Sequence, residues 1–177
     1  DTFVSFPAAN TVSVETGGSE ALRVDSGQRL LIGHSSSLLI GSGDNVPLQV
    51  STTSSAVFGG ARFVNTNSGP FINLAKSRAT SAGSNTIVQE DDDLGTIIFA
   101  GDDGTDLISK GAQISAAVDG TPGSNDMPGR LEFKTTADGA NFPTTRLTID
   151  STGKATFTVD ASINSVTIGE GAGSVSG

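Results

Sequence analysis

Residues 129–135 read GRLEFKT, and the order of side chains within them decides the fold class. Leu131 and Phe133 alternate with Glu132 and Lys134, the period of two that gives a β-strand one dry face and one wet face. The same period returns where Leu147 and Ile149 alternate with Arg146, Thr148 and Asp150. Upstream, residues 95–100 are nearly all apolar through Ile97, Ile98 and Phe99 and close at Gly101-Asp102-Asp103-Gly104. They predict a strand buried on both faces and ended by a tight turn. Residues 111–118, with Ile114 and Val118, predict another, ended by Asp119-Gly120 and by the Pro122-Gly123 turn.

The first half repeats the pattern in shorter pieces. Residues 11–14, 22–24, 30–32, 38–40 and 48–50 read as strands, broken by Gly17-Gly18 and by Asp25-Ser26-Gly27. Residues 56–64, with Val57, Phe58, Phe63 and Val64 around Gly59-Gly60, predict two strands meeting at a turn or bulge. No stretch sustains the 3.6-residue period of a helix. One internal repeat stands out: LRVDSGQRLLI (residues 22–32) aligns without a gap on LTIDSTGKATF (residues 147–157). Both predict a strand, an Asp-Ser-Gly-type turn and a second strand; the bland alternative is that any β-hairpin carries such a pattern.

Composition fits short strands and tight turns. The 177 residues include 23 Gly, with abundant Ser, Thr, Ala and Asn, while helix formers are scarce and only 16% of residues are charged. Large apolar side chains are few: nine Phe, no Trp, no Tyr, and a 35% hydrophobic total carried mostly by Ala and Val. Burying a Phe, Leu or Ile stabilises by roughly 1.5–3 kcal/mol, whereas ordering each residue costs roughly 1–2 kcal/mol in backbone entropy. A chain so poor in large side chains is expected to bury apolar faces against copies of itself, as an obligate oligomer.

The net charge of −9, without a cluster of Lys or Arg, argues against nucleic acid and against anionic membranes as partners. No run approaches the roughly 18 apolar residues of a membrane span, and no signal peptide is evident. The absence of Cys excludes disulfides, thiolate metal sites and cysteine catalysis. The chain opens on Asp1 and stops at Gly177 in a glycine-rich phrase, and both ends read as cuts in a longer polypeptide.

Candidate chemistry is sparse. Glu90, Asp91, Asp92 and Asp93, with Asp102, Asp103 and Asp106 one strand later, form an acidic cluster of the kind that Ca²⁺ uses. The spacing does not match an EF-hand, and Asp in glycine-rich loops more commonly bonds its own backbone, so no metal is expected. His34, the only histidine, lies in GHSSS without a GxSxG elbow and reads as an exposed loop residue. Gly169-Glu170-Gly171-Ala172-Gly173 contains GxGxG but no helix follows, so these read as packing or turn glycines. With no aromatic platform for a sugar ring, no cysteine and one isolated histidine, the chain is expected not to be an enzyme and to need no cofactor.

Two phrases, EALRVDSGQRLLIG (20–33) and TTRLTIDSTGKATF (144–157), resemble punctuation common in bacteriophage tail fibres. The longer block SRATSAGSNTIVQEDDDLGTIIFAGDDGTDLISKGAQISAAVDGTPGSNDMPGRLEFKTTADG (77–139) looks like a tail-fibre module that recurs in phages, including those of cyanobacteria. INSVTIGEGAGSVSG (163–177) looks like the start of a further fibre repeat. Together these cover about two thirds of the chain. The resemblance implies a homotrimer about a threefold axis, in a virion, partnered by itself and by other tail proteins, whose distal parts touch a host surface glycan or protein. Family members sometimes end in an autocleaving chaperone domain, and nothing here matches one.

The expected fold is therefore all-β: a homotrimeric fibre segment in which shaft-like strand–turn segments at residues 1–50 and 145–177 flank a compact β-domain at 51–144. The expected role is structural and adhesive. A polysaccharide-depolymerising tailspike fragment and a bacterial trimeric adhesin are the alternatives. If the segment contacts a receptor, the turn-rich loops holding Asp102, Asp103 and Asp106, and Asp119, Asn125 and Asp126, are the candidates, since loops on a rigid scaffold carry variable contacts.

Overall fold

The computed structural model describes residues 1–43, 46–55 and 57–158. They form ten strands in two five-stranded sheets, without a helix among the described residues. The first sheet holds β1 (Thr2–Ser5), β2 (Val12–Thr16), β3 (Ser19–Val24), β4 (Leu30–Ile32) and β5 (Leu48–Val50), in chain order. Its first four strands are antiparallel neighbours, and β5 pairs parallel with β4. The second sheet is an antiparallel meander of β6 (Asp93–Gly101), β7 (Ser109–Val118), β8 (Gly129–Thr135), β9 (Thr144–Ile149) and β10 (Ala155–Phe157). Residues 144–149 thus belong to the same sheet as residues 93–135.

The repeated phrase builds the same hairpin twice. In the first sheet Leu22 pairs with Ile32 and Val24 with Leu30; in the second, Leu147 pairs with Phe157 and Ile149 with Ala155. The turns agree bond for bond. Asp25 Oδ1 accepts the N–H groups of Gly27 and Arg29 at 2.9 and 3.0 Å, and Asp150 Oδ1 accepts those of Thr152 and Lys154 at 2.9 and 3.0 Å. The Gln28 N–H donates to the Asp25 carbonyl, and the Gly153 N–H to the Asp150 carbonyl, each at 2.9 Å. An aspartate that bonds the backbone two and four residues ahead closes the five-residue loop by local bonds, which is why the phrase recurs as a unit.

Strand alternation sorts each sheet into an apolar and a polar face. Across the second sheet, Ile97, Ile114, Phe133, Leu147 and Phe157 form one cross-strand row, and Ala116, Leu131, Ile149 and Ala155 form the next. The opposite face carries Gln113, Ser115, Glu132, Lys134 and Thr148. In the first sheet Val4, Val14, Leu22, Ile32 and Val50 share a row, backed by Ser13, Arg23, Leu31 and Gln49 on the other side.

The chain covers the polar faces and leaves the apolar ones open at the edge strands, half-covered at the centre. Ser13, Leu31, Gln49, Ser115 and Ala117 are fully buried, while Val4, Leu48, Ile97, Phe99 and Phe157 are exposed. Part of the cover is the segment after β4. Buried Gln49 clamps it by accepting the Leu38 N–H and donating to the Leu38 carbonyl, each at 2.9 Å. Further along, the Gly41 N–H donates to the Leu107 carbonyl at 2.9 Å, and a Cβ on Gly41 would touch Ile98, tying the two halves together.

Four expectations need correction. Residues 95–100 do form a strand, but it is not buried on both faces: Ile97 and Phe99 are 51% and 54% exposed, because β6 is an edge strand whose apolar side is covered only in part, by Leu74 over Gly95. Residues 57–64 form no strand, since Phe58, Phe63 and Val64 have no paired partner among the described residues. Residues 38–40 contribute only a single bridge, Ile40 to Leu107, instead of a strand. His34 is half-buried, with Nδ1 2.6 Å from the Ser36 carbonyl and Nε2 enclosed without a partner among the described residues. The predicted further repeat at 163–177, with its glycine-rich phrase, lies outside the described residues.

Candidate functional site

The two candidate contact loops sit at opposite ends of β7. Residues 102–108 join β6 to β7, and residues 119–128 join β7 to β8. A ten-residue strand rising ~3.3 Å per residue holds them about 30 Å apart, so they are two separate surfaces of one chain.

At the first end the aspartates shape their own loop. Asp102 Oδ1 accepts the Gly104 N–H at 2.7 Å, and Asp106 Oδ1 accepts the Ile108 N–H at 3.0 Å. Asp103 Oδ1 accepts the Thr105 and Asp106 N–H groups at 2.9 and 3.3 Å, while Oδ2 accepts the Ser109 hydroxyl at 2.8 Å. That hydroxyl and the two N–H groups hold the Asp103 carboxyl below its ordinary range. Gly104 takes φ +93° to complete the turn. The result is a preformed, exposed, acidic loop.

At the other end Asp119 Oδ2 accepts the Ser151 N–H at 2.8 Å and is held below its usual value by that bond. Asn125 sits at φ +58°, and the main chains of Gly123 and Asp126 exchange hydrogen bonds at 2.9 and 3.2 Å, forming a small closed turn. Arg130 organises this end. Its Nη1 lies 2.9 Å from the Val118 carbonyl, 2.8 Å from Asp91 and 3.7 Å from Asp119, and its Nε is 3.5 Å from Glu132. Glu132 is also 3.0 Å from Lys134 Nζ. Beside it, Arg78 binds both Asp92 oxygens at 2.6 and 2.7 Å, holding that carboxyl far below its ordinary range. Sequence reasoning took residues 90–93 as one acidic cluster; the arginines that separate them, Arg78 and Arg130, are too distant in the chain to have been paired with them. Among the described residues no three of His, Cys, Asp or Glu converge to hold a metal ion.

These bonded carboxylates make the fold acid-sensitive in a definite direction. The Thr152 hydroxyl, at 2.6 Å, and the Lys154 and Thr152 N–H groups depress Asp150 in the folded chain, so the unfolded chain binds the proton more readily. Its contribution is present above the unfolded carboxyl value of about 3.9 and is lost as pH falls through the lower folded value. Asp150→Asn is expected to lower the melting temperature at pH 6, with the gap to the parent narrowing as pH falls below about 4. A gap that stays constant over that range would show the charge to be irrelevant.

No family model matches this chain, and no curated protein does. Solved structures share its fold, two of them from one tail fibre. One is the carboxy-terminal domain of the L-shaped tail fibre of bacteriophage T5, at a TM-score of 0.65 and 18% identity, covering 96% of this chain and 73% of the solved one. The other is the same fibre domain with its intramolecular chaperone domain, at a TM-score of 0.66 and 15% identity, covering 97% of this chain and 54% of the solved one. This chain therefore spans about half the length of that second structure. Two five-stranded sheets make up an all-β fold shared with the carboxy-terminal domain of a bacteriophage tail fibre.

Proposed function

We propose that this chain is a structural and adhesive segment of a phage tail fibre, working as a homotrimer in the virion and contributing to host attachment. The observation that carries it is the inversion of the two sheets. Each covers its polar face with its own chain and leaves a row of Val, Leu, Ile and Phe open, an arrangement stable only when copies bury those rows against one another. The shared fold supports the same reading, and a parallel threefold arrangement would put the apolar rows around the axis.

In this arrangement the sheet of residues 1–50 acts as a shaft-like segment, while residues 145–157, read with the shaft from the sequence, are part of the meander that forms the more compact part. The loops of Asp102, Asp103 and Asp106, and of Asp119, Asn125 and Asp126, stay outside the apolar contact and are the candidates for meeting a host glycan or protein. The role is mechanical and adhesive, without catalysis. Light scattering of the purified chain is expected to give three times the 17.8 kDa chain mass. The protein is expected to block phage adsorption while releasing no oligosaccharide from host capsule or lipopolysaccharide. A stable folded monomer would refute the trimer, and released sugar would establish a depolymerase instead.

A further inference from the structure

The stretch between the sheets contains a loop that the chain leaves unfinished. Between residues 52 and 76 no backbone-to-backbone hydrogen bond is formed among the described residues. Even so, residues 58–72 are shaped. The chain doubles back so that Phe58, Gly59 and Gly60 face Pro70, Phe71 and Ile72 around an open hollow of about 360 Å³. Arg62 Nη1 donates to the Gly69 carbonyl at 3.1 Å across the loop. A Cβ on Gly59 or Gly60 would meet no atom within 4 Å, so that wall is left clear for an incoming group.

Phe63 lies on the same loop. It is 96% exposed and takes no part in lining the hollow, so it does not fill it within its own chain. Each chain therefore carries one aromatic knob and one apolar hollow, neither satisfied. The loop also leads directly to the apolar sheet face: two residues past Ile72, Leu74 packs so closely over Gly95 of β6 that a Cβ there would come within 2.7 Å of it. Gly95 belongs to the same face as Ile97 and Ala116.

We propose that this loop is an interlock between copies of the chain, with Phe63 of one copy seated in the Phe58, Pro70, Phe71 and Ile72 hollow of the next. The contact is heterologous, knob to hollow, so it passes from copy to copy, and the threefold axis of the homotrimer reading closes it into a ring. It rests on the homotrimer reading above and adds a second, lateral contact to the apolar faces. The occupant is another copy, because every copy carries an exposed Phe63 ring beside an unfilled apolar hollow, and because the same loop leads through Leu74 to the apolar sheet face that the homotrimer reading buries.

The chain has no cysteine, so the test is clean. In the full chain carrying both Phe63→Cys and Ile72→Cys, mild oxidation is expected to give a covalent three-chain species on a denaturing gel, while each single variant stays a single-chain band. A three-chain mass by light scattering with no cross-link between chains, or only a cross-link within one chain, would overturn the interlock and leave the trimer standing. If the double variant does not assemble, Phe63→Ala in the same chain is expected to speed subunit exchange at least tenfold, and an unchanged exchange rate overturns the proposal. A parent protein that is monomeric by light scattering removes both readings, and that measurement is made first.

Discussion

Phe133→Asp is expected to abolish assembly, leaving a chain that elutes as a monomer and melts without a cooperative transition. Phe133 stands at the centre of the cross-strand row, between Ile114 on β7 and Leu147 on β9, with Ile97 and Phe157 at the row's ends. The same row is half open in a single chain, so the charge is tolerable there and becomes intolerable only when copies close over it. An unpaired carboxylate enclosed in such a contact costs several kcal/mol, and every ~1.4 kcal/mol is a tenfold change in the association constant. With one such charge from each copy, the loss is expected to exceed about 4 kcal/mol per chain. The comparison is Gln113→Asp, one residue along β7 from Ile114 on the polar face and directly opposite Lys134. That variant is expected to keep its oligomeric mass. Sedimentation that found Phe133→Asp still fully assembled would mean the apolar face is not the contact.

Gly33→Ala carries the second large effect, and it acts within one chain. Gly33 follows β4 at φ +78°, donates its N–H to the Ala21 carbonyl at 3.1 Å, and faces the backbone carbonyl of Ser51, with which an added Cβ would collide outright. The left-handed conformation alone costs a non-glycine residue about 1–2 kcal/mol. Displacing a backbone carbonyl next to the parallel β4–β5 pairing adds a comparable amount, for a total of about 3 kcal/mol. Gly17 separates the two terms. Its φ is +61°, yet nothing lies within 4 Å of an added Cβ, so Gly17→Ala is expected to cost only about 1 kcal/mol. Urea denaturation of the two variants checks this, and equal losses would show that the Ser51 contact does not matter.

Much of the second sheet was legible because its strands advertise themselves locally. GRLEFKT forms β8 over the residues quoted for it, and the repeated Leu-x-(Val/Ile)-Asp-Ser phrase forms matching hairpins because Asp25 and Asp150 close their turns with bonds two and four residues away. The short strands at Leu30–Ile32 and Leu48–Val50 were equally visible, but their parallel pairing was not. β1 escaped notice: in Phe3, Val4 and Ser5 no turn signal sets off so short a run from the chain start.

The candidate loops were legible as loops, and their aspartates were read as turn residues, as the Asx bonds of Asp102, Asp103 and Asp106 bear out. Their separation by the length of β7 was not legible, nor was the Arg130 network, whose partners Asp91, Asp119 and Glu132 come from different parts of the chain. Phe58, Phe63 and Val64 misled in the opposite direction. Apolar side chains near glycines look like a hairpin, but a strand needs a partner for its backbone as well as a face for its side chains.

The sequence by itself determined that this protein is built of short strands with alternating faces, that its turns are closed by aspartate and glycine, and that it is poor in large apolar side chains. Those properties reside in runs of a few residues and in composition. Only the tertiary structure decided which face is covered, because that depends on where segments far apart in the chain come to lie. Gln49 holding Leu38, and Gly41 meeting Leu107, place the covering segments over the polar faces and leave the edge-strand ends of the apolar rows exposed.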